Sequence, residues 1–157
     1  MEVTEGACRL GLWYVWVSWT GNVVHQVRFL RTGIPGPVPM QITRYLAGKV
    51  SDLDPLTSPL SDREGVYGEI YRAVRSIPYG SVRTYGEISR QAGTSPRIVG
   101  LAMMRNITPI IIPCHRVISK DGIGGFTPDL WIKEELLRIE TEGLKKLQNN
   151  GSDFLIR

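Results

Sequence analysis

Cys114 and His115 stand next to each other at the end of the apolar run Ile110-Ile111-Ile112-Pro113, and Arg116 follows them. A lone cysteine in such surroundings is ordinarily a small apolar filler. A cysteine beside an imidazole and a guanidinium can instead be a nucleophile, because the thiolate is the reactive form and such neighbours favour it. An ordinary thiol, with a pKa near 8.5, is only a few per cent ionised at neutral pH. A lowering of roughly two units would make the thiolate the major form. Neighbours in a chain need not face each other, so a link from His115 to Cys114 can run through a water. A histidine acting as base also needs an acid to orient it. Glu140 is the candidate, and spacing alone leaves Glu134 and Glu135 open beside it.

The other residues of reactive type have plainer readings. Cys8 has no imidazole or guanidinium partner and reads as a packing residue, and His25 reads as a surface or core histidine in a strand. Two cysteines and two histidines do not support a four-ligand zinc site, so no metal is expected. There is no GxGxxG or GxxxxGK loop to cradle phosphates, so no cofactor is expected either.

The chain has 157 residues, 42% hydrophobic and 22% charged, enough for one domain, or for a compact one with a small N-terminal partner. No apolar run approaches the ~20 residues that span a bilayer, and the N-terminus lacks the basic and apolar regions of a secretory signal. The expectation is a soluble protein with reduced cysteines, cytoplasmic or, in a eukaryote, nuclear, with no membrane partner. The net charge of +4 is unevenly placed. From Arg63 to Arg116 eight arginines face three glutamates, with no lysine or aspartate, a net of +5. Such a block suits a polyanionic partner, most simply nucleic acid, or else a solvated basic face.

The elements that must carry these residues follow from periodicity. Leu10 to Trp19 is almost continuously apolar and reads as a strand covered on both faces. After the turn signal Thr20-Gly21-Asn22, Val23 to Leu30 reads as a second strand with Val23, Val27 and Phe29 on one side, which makes a hairpin. Thr32 to Pro39 is a loop, a short helix spans Gln41 to Leu46, and Ser51 to Asp62 reads as a linker. Val66, Ile70, Ala73, Val74 and Ile77 form one apolar helical stripe. Thr84-x-x-Glu87 is a capping box that starts a helix at Tyr85 and ends it near Gly93. Ser95-Pro96 starts the next, which runs to about Arg105 with Val99, Ala102 and Met103 inward. The pair makes a plausible helix-turn-helix; an ordinary helical hairpin is the alternative. Pro109 to Pro113 is read as a buried extended stretch. Ile132, Leu136 and Ile139 define a last helix before a polar tail, Lys145 to Asp153. The fold class is α+β, with a small N-terminal αβ domain over 1–62 and a mostly helical domain over 63–157 that holds the helix-turn-helix and the cysteine.

The string Ile112-Pro113-Cys114-His115-Arg116-Val117-Ile118 resembles the active-site signature of the O6-alkylguanine-DNA alkyltransferases. Arg97-x-Val99-Gly100, Met103-x-Arg105-Asn106 and Pro109 precede it at that family's spacing, and Gly122-x-Gly124-Gly125-Phe126 follows. The resemblance covers about residues 64 to 143 well and residues 1 to 62 in outline only. It implies that Cys114 accepts the alkyl group in one in-line displacement, irreversibly and once per molecule, from O6-alkylguanine and O4-alkylthymine in duplex DNA. It further implies that His115 and Glu140 deprotonate the thiol through a water and that Asn106 ties the recognition helix to the active-site segment. By the same resemblance Arg97 enters the base stack, Tyr85 assists flipping and donates to the purine N3, and Thr84, Ser95 and Arg105 meet the DNA. Met103, Phe126, Thr127 and the carbonyls of Cys114 and Val117 would then line or bind the guanine. Phe126, where the family often has tyrosine, and Pro128-Asp129, where small glycines are common, bear on the breadth of alkyl groups accepted. The resemblance implies a monomer acting on double-stranded DNA. Three rivals are a lesion sensor without an acceptor cysteine, a dimeric helix-turn-helix regulator, and a Cys/His hydrolase.

Overall fold

The computed structural model describes residues 2–149. Three strands, β1 (Thr4–Leu10), β2 (Trp13–Thr20) and β3 (Val23–Leu30), form an antiparallel sheet in sequence order. The expected hairpin is therefore one strand short, because β1 lies ahead of it. The turn between β2 and β3 places Gly21 at φ 57°, which the two-residue connection requires at its first central position.

β2 is not covered on both faces. Trp13, Val15 and Val17 are buried while Tyr14 and Trp16 are half-buried, so the strand alternates as one side of a single-faced sheet. On β3 the inward residues are Val24, Val27 and Phe29, and Val23 is exposed. The register slips between Ser18 and Trp19, leaving His25 as the extra residue, its ring hydrogen-bonded to Thr20. Such a bulge changes which parity faces the core.

α1 (Met40–Leu46) packs Ile42 and Tyr45 under the sheet. The stretch expected to be a linker is bound into the fold. Leu56, Ser58 and Leu60 are buried, the Thr57 N–H donates to the Asn22 carbonyl, and Pro59–Asp62 forms a 3-10 turn.

The second half is helical: α2 (Gly65–Arg75), α3 (Tyr85–Ala92), α4 (Pro96–Met104) and α5 (Leu130–Asn149). A short parallel pair, β4 (Arg83–Thr84) with β5 (Val117–Ile118), joins the entry of α3 to the segment after Cys114. The capping box is formed, with the Glu87 N–H donating to Thr84 Oγ1 and the Thr84 N–H to Glu87 Oε1. Gly93 ends α3 at φ 71°, a conformation that costs an L side chain and not glycine. Ser95 caps α4, and the Tyr71 hydroxyl from α2 donates to the Ala102 carbonyl of α4. Of the predicted stripe, Ile70, Ala73 and Val74 of α2 and Ile77 just past its end are buried, and Val66 is exposed. The polar segment begins inside α5, which continues to Asn149; residues 150–153 of it lie outside the described residues.

Two cores result. One unites the sheet and α1 with Ile110, Ile111, Ile132, Leu136 and Ile139; the other holds α2, α3 and α4 together with Ile112 and Val117. The first draws on both sides of residue 62, so α5 and the Ile110-Ile111 turn bind the two halves. Ile111 and Ile112, consecutive in the run just before Cys114, thus face different cores.

Candidate active site

The segment before Cys114 is buried as expected but is a tight turn and not an extended stretch. Ile110 has φ 76°, and the Ile112 N–H donates back to the Thr108 carbonyl. A β-branched residue in the left-handed region is costly and persists only where its surroundings fix it. Here Ile110 is packed in the first core. Asn106, just past α4, supplies a second fixing. Its Nδ2 donates to the Ile112 carbonyl at 2.8 Å and its Oδ1 accepts from the Thr108 N–H at 3.0 Å. The end of α4 and the cysteine segment are therefore stapled by one side chain.

Cys114 opens a single 3-10 turn, Cys114–Arg116, from which successive side chains diverge. Its thiol reaches a cavity of about 460 Å³ under α4, lined also by Tyr85, Arg97, Gly100, Met103, Asn106, Phe126 and Thr127. Arg97 is exposed at the lip, Tyr85 is half-buried, and Phe126 is supported edge-on by Phe29 of β3 at 5.8 Å. A wider concavity on the outer side of the helix pair shares Tyr85 and Arg97 and adds Thr84, Arg90 and Lys120. Ser95 stands at the start of α4, its Oγ accepting from the Ile98 N–H. Arg105 leans away over Tyr67, donating to its hydroxyl at 2.7 Å, and Arg63 stacks on the same ring. Val117 is buried in the helical core, and its carbonyl accepts from Lys133 Nζ at 2.7 Å.

His115 points the other way, fully buried, with Nε2 2.6 Å from Glu140 Oε2. Glu134 is exposed and Glu135 pairs with Arg138 at the surface, so of the three acids only Glu140 meets the imidazole. Arg116 follows Glu140 as well. Its Nε and Nη2 donate to the carboxylate at 2.9–3.0 Å and its Nη1 donates to the Ile77 carbonyl. The Gly80 N–H and the Tyr45 hydroxyl complete the donors to Glu140. Burial alone would raise this carboxyl, but the hydrogen bonds and charges of His115 and Arg116 outweigh it and hold it at about 2. Facing an ionised Glu140, His115 carries its proton on Nε2 and leaves Nδ1 as the basic nitrogen. That atom is buried and has no protein hydrogen-bond partner among the described residues.

The electrostatics of the thiol differ from the expectation. Burial pushes Cys114 up to about 11, and Asn106, Lys133 and backbone amides only partly offset it. The guanidinium that was to favour the thiolate is committed to Glu140, so the resting site holds a neutral thiol. Burial also lowers His115, with Glu140 pulling the other way, which leaves the imidazole neutral and able to take a proton at pH 7. Two members of the site were missed from sequence. Lys133, lowered by burial to about 8, braces the loop after Cys114 through the Val117 and Gly125 carbonyls. It lies seven residues before Glu140, the same helical face, and that spacing was the available signal. Tyr45 comes from α1 and had no signal in its own neighbourhood.

Fold and site together define a helix-turn-helix module in which a buried, chemically supported thiol lies beneath the second helix. Residues 66–142 match the profile of the family described as 6-O-methylguanine DNA methyltransferase, DNA binding domain. A methylated-DNA–protein-cysteine methyltransferase of Methanopyrus kandleri is 43% identical over 99 residues, 63% of this chain and 75% of that protein. The crystal structure of the Mycobacterium tuberculosis O6-methylguanine methyltransferase aligns at a TM-score of 0.74 and 28% identity, over 90% of this chain and 94% of that one. The M. tuberculosis OGT in complex with DNA aligns at 0.73 and 29%, over 87% and 92%. This chain belongs to the 6-O-methylguanine DNA methyltransferase family.

Proposed function

We propose that the protein repairs O6-alkylguanine, and O4-alkylthymine, in duplex DNA by moving the alkyl group onto Cys114, once per molecule and as a monomer. One observation carries the reading: Cys114 lines a cavity of about 460 Å³ that opens beneath α4, and the imidazole of the next residue, His115, is held by Glu140. An alkyl carbon on O6 cannot be attacked in line while its base is stacked, so the nucleotide must leave the duplex, at a cost of a few kcal/mol that is smaller for a damaged pair. Arg97, exposed at the cavity lip, fills the gap in the stack. Thr84, Ser95 and Arg105 flank α3 and α4 and meet the backbone.

In the cavity Met103, Phe126 and Thr127 flank the base, and the Cys114 and Val117 carbonyls accept from its exocyclic amine. The sulfur–carbon bond forms as the carbon–O6 bond breaks. The thiol proton passes through a water to His115 Nδ1, and Tyr85 gives a proton at N3 to the departing guanine anion. The His115 imidazolium returns its proton through solvent to the Tyr85 phenolate, so the products are the thioether, neutral guanine and the two side chains in their starting states. A thiol near 11 does not hinder this, because proton removal accompanies attack and the neutral resting thiol resists unwanted oxidation. The product is a thioether. No group of the site offers it a leaving path, so the acceptor is consumed.

Incubation with an O6-methylguanine duplex is expected to add one methyl to the peptide bearing Cys114, with a stoichiometry that saturates at one. Peptide mapping by mass spectrometry reads it, and methyl on another residue, or continued turnover, would reject the proposal. Binding should weaken with salt by roughly 0.9 log units per log unit of salt for each phosphate neutralised.

Arg97→Ala is expected to slow repair in duplex DNA by about tenfold or more, the rate equivalent of part of the flipping cost. Transfer from free O6-benzylguanine, which needs no flipping, should change far less. Equal losses on the two substrates would take Arg97 out of the flipping step.

A further inference from the structure

Tyr45 is fully buried, hydroxyl included. A buried phenol must find a partner, and the partner chosen shows what the hydroxyl is for. Tyr71, the other fully buried tyrosine, gives its proton to a backbone carbonyl between two helices. Tyr45 gives its proton to Glu140 Oε2, the same oxygen that His115 Nε2 meets, and its own oxygen lies 3.1 Å from that nitrogen. The contacts join residues 70 and 95 positions apart. Tyr45 belongs to α1, in the half of the chain outside the helix-turn-helix.

We propose that Tyr45 is a positioning residue for alkyl transfer: its hydroxyl holds the Glu140 carboxylate and the His115 imidazole in the arrangement that leaves Nδ1 as the base. The N-terminal half thereby completes the acceptor site, and its packing on α5 matters to chemistry as well as to stability. Two effects follow from one hydrogen bond. The phenol fixes the carboxylate oxygen in line with Nε2–H, which selects the tautomer. It also draws charge from that oxygen, which weakens the carboxylate's pull on a second imidazole proton and keeps the base free at lower pH.

The groups facing His115 make the sign of the test definite. Glu140 favours the imidazolium, while Arg116 of its own turn and Lys133 of α5 oppose it. The neighbouring Cys114 is neutral in the resting site, and Tyr79 reaches Glu140 from the loop after α2. Removal of the Tyr45 hydroxyl leaves Glu140 more basic and raises the proton affinity of His115. For Tyr45→Phe, the acid limb of the rate profile for transfer from free O6-benzylguanine is expected to move up by roughly half a pH unit or more. The rate on the alkaline plateau should change less. A superimposable profile, or one scaled equally at every pH, would overturn the proposal, since packing alone scales the whole curve.

Should Tyr45→Phe fail to fold, 3-fluorotyrosine at position 45 decides the matter. It is a stronger donor of the same shape, and the limb must move down. The inference rests on the alkyl-acceptor reading, and a second readout separates the two. The nitrogen-15 titration of His115 reports its tautomer and proton affinity without any alkyl transfer. Wild-type protein that leaves Cys114 unmodified rejects the function, whereas an unchanged His115 titration in both variants rejects the role of Tyr45.

Discussion

Cys114→Ala is expected to give a folded protein that binds an O6-methylguanine duplex within about twofold of wild type and transfers no methyl group. The loss should be complete because no other side chain in the cavity is a competent nucleophile. The lining offers a phenol, an amide, a guanidinium, a threonine hydroxyl and apolar groups. Cys8, the other thiol, is packed against the sheet core, and burial raises it above the ordinary range. The fold should survive, since removing one small sulfur from a site already beside a cavity costs about 1 kcal/mol. Methyl transfer followed by mass spectrometry of the whole chain, with affinity from a fluorescent duplex, separates chemistry from binding. Methyl found on the variant would require another acceptor and would dismantle the mechanism. Intact binding with no transfer would instead reproduce, by substitution, the lesion sensor that the sequence left as a rival.

The success of the sequence reading depended on how local each signal was. Thr84, Glu87, Gly93 and Ser95-Pro96 act within one turn of backbone, and the helix pair they imply is present. Glu140 was reachable because it falls on the stripe of Ile132 and Leu136, and a buried acid on an apolar face needs a partner. β1 was missed because Gly6-Ala7-Cys8 has little strand propensity and only Ala7 and Leu10 are buried, so the pattern looks like a terminus. The parity error on β3 comes from a bulge, which no alternation rule registers.

Ile110-Ile111-Ile112 reads as extended by propensity, and the tertiary fold overrides it to feed two cores from one turn. The misjudged thiol has a related cause. Cys114, His115 and Arg116 are neighbours in sequence, but a 3-10 turn sends their side chains apart, one to the cavity and two to Glu140. Adjacency gave the right residues and the wrong electrostatics. Tyr45 was silent for the opposite reason, because its partners lie 70 and 95 positions along the chain.

Glu140 carries the largest stability effect. It is 1% exposed and accepts from the Arg116 guanidinium, His115, Tyr45 and the Gly80 N–H. Glu140→Ala strips all four donors of their partner and leaves a guanidinium buried without its counter-charge. Breaking such a pair from one side costs about 3–5 kcal/mol, and transfer to Cys114 should fall with it as His115 loses its orienting acid. A pH test isolates the electrostatic part. Glu140 has a folded-state pKa of about 2, below its ordinary carboxyl value, so its contribution is fully present above the unfolded pKa of roughly 4.3 and fades as pH falls towards 2. Glu140→Gln keeps the shape and two of the acceptor directions but has no proton to gain in that window. Urea unfolding at several pH values should therefore show wild type well above Glu140→Gln at pH 7 and the gap narrowing between pH 4.5 and 2.5. Parallel curves would mean that the carboxylate is not the ionised hub that orients the imidazole, and the base assigned to the thiol would lose its support.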